Sequence, residues 1–136
     1  MKPFDLTRSF DRGLADLDRV HAWLDELPRT HPDFEAETLA RLRLALAEAF
    51  ANAVQHAHGG QTGLAVEVRI SSDGDGLIRL DVSDCGPGFH LSAPPPPNDH
   101  AERGRGLGIL HKLADRVVYE RNTLSIWLQP RRDKKN

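Results

Sequence analysis

Three clusters in this 136-residue chain combine residue types and spacings that suit chemistry. The first is Glu48, Asn52 and His56 in AEAFANAVQHA. Spacings of four set them along one side of a helix. Their neighbours are Ala, Phe and Val, so the row is no ordinary charged solvent face. A carboxylate among apolar neighbours can be tuned for proton transfer. An Asn one turn on offers a neutral oxygen that suits a hard cation such as Mg²⁺. The second cluster, Asp84-Cys85-Gly86-Pro87-Gly88, closes a run that alternates like a strand. Its glycines allow a sharp turn and close approach of a flat ligand, and Asp84 can accept a hydrogen bond from an exocyclic amine. The third, Gly104-Arg105-Gly106-Leu107-Gly108, opens a helical pattern. Glycine amides at a helix start, with Arg103 and Arg105 beside them, suit phosphate. Each cluster also has a plain structural alternative. These are a solvated strip with a capping histidine, a tight turn, and a hinge before a helix.

Other chemistries fit less well. No G-x-x-x-x-G-K-[ST] occurs, and the glycine spacing is not G-x-G-x-x-G. His56 and His58 find no third nearby ligand for zinc. Cys85 reads as a small packing residue, and Trp23 and Trp127 as core or interface residues. A single cysteine forbids an internal disulfide. Eighteen basic against twenty acidic residues, net −2, leave no broad basic surface for nucleic acid. No stretch of about 18 apolar residues occurs to span a membrane, and MKPFDLTRSF lacks a signal-peptide core. A cytoplasmic protein is expected, with no direct nucleic-acid or membrane partner.

The elements that must position the clusters follow from periodicity. Residues 4–10 suggest a short first strand. Apolar residues at three- and four-residue spacing predict a helix over Gly13–Leu27, stopped by Pro28. A long Ala/Leu-rich helix is expected from about Phe34 to Ala57, ending at Gly59-Gly60. Period-two runs over Leu64–Ile70 and Ile78–Val82, joined by SSDGDG, predict a hairpin. A loop from about His90 to Arg103 carries four prolines, 94–97, which no helix or central strand accepts. A short helix, ILHKLAD, and a last hairpin, RVVYER and TLSIWLQ, complete the order β-α-α-β-β-loop-α-β-β. The grouping predicts an α+β fold. It is a two-layer α/β sandwich with a mixed, mostly antiparallel sheet and helices on one face. Residues 1–130 form one domain, and 131–136 a basic tail.

Taken together and in this order, the clusters resemble a known superfamily. AEAFANAVQHA looks like the N box of the Bergerat-type (GHKL) ATPases, which include gyrase, MutL and the histidine kinases. DCGPG resembles their D-x-G-x-G box and GRGLG their second glycine box. ALAEAFANAVQHA in a compact chain is most similar to the bacterial anti-sigma factor serine/threonine kinases. The resemblance implies ATP as substrate nucleotide, Mg²⁺ as its companion ion, and a lid over roughly His90–Arg103. It implies Glu48 as general base, Asn52 as the Mg²⁺ ligand, and Asp84 as acceptor from the adenine amine, with Gly86 and Gly88 closing that pocket. Gly104, Gly106 and Gly108, with Leu107 between them, would present amides to the phosphates, with Arg103 or Arg105 reaching the γ-phosphate. Thr123 would lie near the adenine. The implied partners are a STAS-domain anti-anti-sigma protein, a sigma factor, and a second copy in a homodimer. A non-catalytic ATP-binding anti-sigma switch and a free-standing histidine-kinase ATP-binding domain are the alternatives.

Overall fold

Alternating burial organises the sheet. In β2 (Val66–Ser72) and β3 (Ile78–Asp84), residues at every second position are buried, and so are Leu124, Ile126 and Leu128 of β5 (Thr123–Leu128). The computed structural model describes residues 2–57, 65–84, 109–120 and 122–129, with backbone alone for 56 and 57. β1 (Phe4–Phe10) and β4 (Arg116–Glu120) form the edges of a five-stranded sheet in the order β1-β2-β3-β5-β4. Every neighbouring pair is antiparallel. The architecture is the α+β one expected, with the mostly antiparallel sheet here antiparallel throughout.

The β2–β3 turn explains its own composition. Gly74 and Gly76 adopt φ of 107° and 96°, values a side chain would disfavour. The Asp75 carboxylate accepts the Leu77 amide at 3.0 Å, and this bond holds its pKa below the ordinary carboxylate value.

The helices cover one face. Asp16, fully buried, accepts the Arg12 amide at 3.0 Å and an Arg19 nitrogen at 3.1 Å, which fixes the passage from β1 into α1 (Leu17–Leu24). Pro28 does not stop a helix running through Leu27. It opens the next short one, α2 (Leu27–Thr30), where a missing amide is harmless. α3 (Ala36–Asn52) buries Thr38, Arg41, Leu42, Ala45, Leu46, Ala49 and Phe50 along one stripe and packs on β3 and β5. Phe50 meets Phe10 of β1 edge-on, centroids 5.9 Å apart at 87°, and Phe10 in turn meets Trp23 of α1 at 6.1 Å. Core packing thus fixes the rotation of α3 about its axis. Residues 109–113 form a further helical turn, with Leu110 fully buried.

The opposite face of the sheet carries hydroxyls and charges, as an open antiparallel face does. There Arg69 donates to Asp5 at 2.8 and 2.6 Å and holds its carboxyl below the usual range. A depressed carboxylate stabilises the fold above its unfolded pKa, and that contribution fades as pH falls through the lowered value. Both groups are about half exposed, so it is small. Trp127 lies on this face between the guanidinium groups of Arg79 and Arg116, 4.9 and 5.1 Å from its centroid. No helix among the described residues is long and apolar enough to cross a membrane.

Candidate functional site

The site is built on the last two turns of α3 and the end of β3. At 100° per residue, Glu48 and Asn52 fall about 40° apart. They lie at the margin of the buried stripe, and both are half-buried. Phe50, between them in sequence, is fully buried on the other side. Locking Phe50 into the core therefore aims Glu48 and Asn52 out of it. Among the described residues, neither side chain is engaged in a hydrogen bond or ion pair.

Directly after Asn52 the helix widens. Ala53–Ala57 form a π-helical turn where the sequence predicted continuous α-helix. At the junction the Ala53 amide reaches the carbonyls of both Ala49 and Phe50. π turns are rare and are concentrated at functional sites. This one packs on β3 and buries Val54 against it. His56 falls within it, and its side chain lies outside the described atoms.

Asp84 ends β3 in phase with Ile78, Leu80 and Val82, so it faces the layer that α3 and the π turn cover. It is 1% exposed, unusual for a carboxylate. Its backbone is held from both sides by Asn122. The Asp84 amide donates to the Asn122 carbonyl at 3.0 Å, and the Asn122 side-chain amide donates to the Asp84 carbonyl at 2.5 Å. The sequence marked Asn122 only as a turn residue between strands. Nothing in one sequence pairs it with a residue 38 positions earlier.

Thr123 is placed differently from the other candidates. It pairs with Ser83 in the β3–β5 register, and their hydroxyls lie 2.8 Å apart. Successive residues of a strand point to opposite faces. The Thr123 hydroxyl therefore lies across the sheet from the Asp84 carboxylate, and the structure does not bring those two side chains together. Gly86, Gly88, Arg103, Gly104, Arg105, Gly106, Leu107 and Gly108 lie outside the described residues, as does the proposed lid.

Among the described residues, no group of three or more His, Cys, Asp or Glu comes together as a metal cage. The Asn52 carboxamide fits a different mode, in which a Mg²⁺ ion keeps waters and phosphate oxygens and takes one hard oxygen from the protein.

A family profile described as histidine kinase-like ATPase domain matches residues 11–129. The chain belongs to that family. The match runs from the end of β1 through β5 and includes all three clusters. A histidine kinase-like ATPase domain is an ATP-binding, kinase-like module, and the five-stranded sheet with its helical layer is the corresponding α+β fold. No curated protein matches the chain.

One further residue escaped the sequence reading. Arg41 sits in the buried stripe of α3 and is only 7% exposed. A charged residue at a core position signals a need for partners. The periodicity of α3 alone could have shown it.

Proposed function

We propose that this histidine kinase-like ATPase domain is an ATP-dependent protein serine/threonine kinase. Its substrate would be a STAS-type anti-anti-sigma regulator in a partner-switching circuit, with sequestration of a sigma factor and self-association as a homodimer as companion activities. The observation that carries this is the uncommitted, half-buried Glu48, one turn from Asn52 on α3. A module that only bound nucleotide would have no use for a base there.

In this reading Glu48 accepts the proton of a serine or threonine hydroxyl. The hydroxyl oxygen bonds to the γ-phosphorus of ATP as the bond to the β–γ bridging oxygen breaks, and ADP leaves. Asp84, held by Asn122, accepts a hydrogen bond from the adenine amine. The Asn52 carboxamide oxygen holds Mg²⁺, which supplies charge neutralisation for the phosphates when bound. The glycine boxes and one of Arg103 and Arg105 meet the phosphates. Phosphate on the partner adds charge and strong acceptors that eject or recruit a docked surface.

The deciding experiment incubates the protein with γ-labelled ATP and a STAS-domain protein, taken from a neighbouring gene where the genome carries one. Label on a Ser or Thr of that protein is the expected result. Binding of ATP and partner without label would mark a nucleotide-sensitive binder instead. Label on a histidine of a co-incubated dimerisation domain would mark a histidine kinase.

Two variants test the pocket. Asp84→Ala is expected to weaken ATP binding about 10- to 100-fold, the worth of a hydrogen bond to a charged group, and to erase preference for ATP over GTP. A competition assay with an unchanged ATP:GTP ratio would remove Asp84 from adenine recognition. Asn52→Ala is expected to cut Mg²⁺-dependent nucleotide affinity at least about tenfold, a loss seen even for outer-shell ligand partners. Titrating nucleotide with and without Mg²⁺ measures it, and an undiminished Mg²⁺ effect would exclude Asn52 as ligand.

A further inference from the structure

Arg41 uses its three guanidinium nitrogens on the segment that follows the second glycine box and on the end of β5. Nε and Nη2 donate to the Leu113 carbonyl at 3.3 and 2.8 Å, and Nη1 donates to the Gln129 carbonyl at 2.7 Å. Nη2 also reaches Asp115 Oδ2 at 3.4 Å. The same Asp115 oxygen accepts the Gln129 amide at 2.6 Å, and the Asp115 amide donates to the Trp127 carbonyl at 2.8 Å. Leu113 ends the helical turn 109–113, whose Leu110 carbonyl accepts the Ala114 amide at 2.8 Å. A buried cation thus closes the carboxyl end of that turn and ties it to both α3 and the end of β5.

The placement on α3 gives this tie a direction. Arg41 precedes Glu48 by seven residues, two helical turns, and the pair differ by about 20° around the axis. Arg41, Glu48 and Asn52 therefore lie on one edge of α3, within about 40° of each other. Ile109, the first residue of the tethered turn, is covalently joined to Gly108 of the glycine box. One rigid helix thus presents Glu48 and Asn52 directly. Through Arg41 it also fixes the far end of the element into which the glycine box leads.

On the footing of the ATP pocket proposed above, we infer that Arg41 is a positioning residue for nucleotide. It sets how the residue 109–113 turn, into which the glycine box leads in sequence, is held against α3. Its fork geometry matters as much as its charge, because a lysine ammonium cannot serve Leu113, Gln129 and Asp115 at once. Its loss acts on ATP affinity and leaves the proton transfer at Glu48 untouched.

The test compares wild type, Arg41→Lys, Asp115→Asn and the control Arg43→Ala, whose partner Asp25 lies on a different, exposed surface. Dissociation constants for Mg·ATP, kcat at saturating ATP, and amide hydrogen exchange over residues 109–114 are measured on the full chain. Arg41→Lys is expected to raise Kd and KM for ATP about tenfold, with kcat within about twofold, in keeping with loss of charge-assisted bonds. Asp115→Asn is expected to move the same way by about threefold, and it keeps the test alive if Arg41→Lys fails to fold. Arg43→Ala leaves all three readouts unchanged. Exchange over 109–114 should quicken in both tether variants, with or without nucleotide. Faster exchange with unaltered Kd would overturn the positioning role, and so would a loss confined to kcat. A wild type that binds no ATP would overturn the pocket itself, while the exchange data would still report on the tether.

Discussion

Replacing Glu48 by Gln is expected to reduce phosphotransfer about 10²- to 10⁴-fold, the usual worth of a positioned general base. Nucleotide affinity should stay within about twofold, since the side chain keeps its shape and makes no hydrogen bond or ion pair among the described residues. Glutamine cannot take the hydroxyl proton at neutral pH, so the attacking oxygen remains a poor nucleophile. The measurement is a single-turnover transfer assay paired with an equilibrium ATP titration. Equal loss of binding and transfer would make Glu48 a binding residue. Undiminished transfer would place the base elsewhere. The chosen substitution keeps the half-buried position filled, so a change in rate cannot be ascribed to repacking of α3.

Phe50→Ala is expected to cost about 3–5 kcal/mol of stability, the range for emptying a fully buried phenyl site. Small domains hold only about 5–15 kcal/mol in total, so urea unfolding should shift to much lower denaturant. The edge-on contact with Phe10 adds to the loss, because that ring also supports Trp23 on α1. The expected signature goes beyond stability. Phe50 fixes the rotation of α3, so the variant that remains folded should bind ATP more weakly and transfer phosphate more slowly. Phe50→Leu, which keeps most of the volume, should recover most of both. A Phe50→Ala protein with wild-type unfolding midpoint would mean that the ring is not a pillar of this core.

Much of the layout was legible in the chain. Period-two alternation marked β2, β3 and β5 because one face of each is buried and the other is wet. The SSDGDG turn was legible because Gly74 and Gly76 supply backbone angles that other residues resist. The long α3 was legible from its apolar stripe, but its end was not. The switch to a π turn at Ala53 has no compositional marker and is set by packing on β3. Pro28 misled because proline both ends helices and begins them, and only the chain path distinguishes the two. Thr123 was marked by the resemblance alone. Alternation with Leu124, Ile126 and Leu128 sets it on the wet face of β5, and its pairing with Ser83 is fixed by a register that the local sequence does not contain. Arg41 and Asn122 act through partners 72 and 38 positions away, beyond any local pattern.

The strand order carries a consequence for how the chain tolerates change. β2–β3 and β4–β5 are local hairpins, whereas β3 and β5 meet across the whole of residues 85–122. That junction and the β1–β2 pairing, which spans residues 11–65, are the entropy-laden steps of assembly, since each must close a long loop before the pairing rewards it. Yet closure entropy grows only logarithmically, and doubling such a connection costs roughly 0.6 kcal/mol. A change of a few residues in length between Asp84 and Ile109 therefore alters that closure cost by roughly a few tenths of a kcal/mol at most. Loop closure thus sets little limit on the length of that stretch, which carries both glycine boxes and the four prolines.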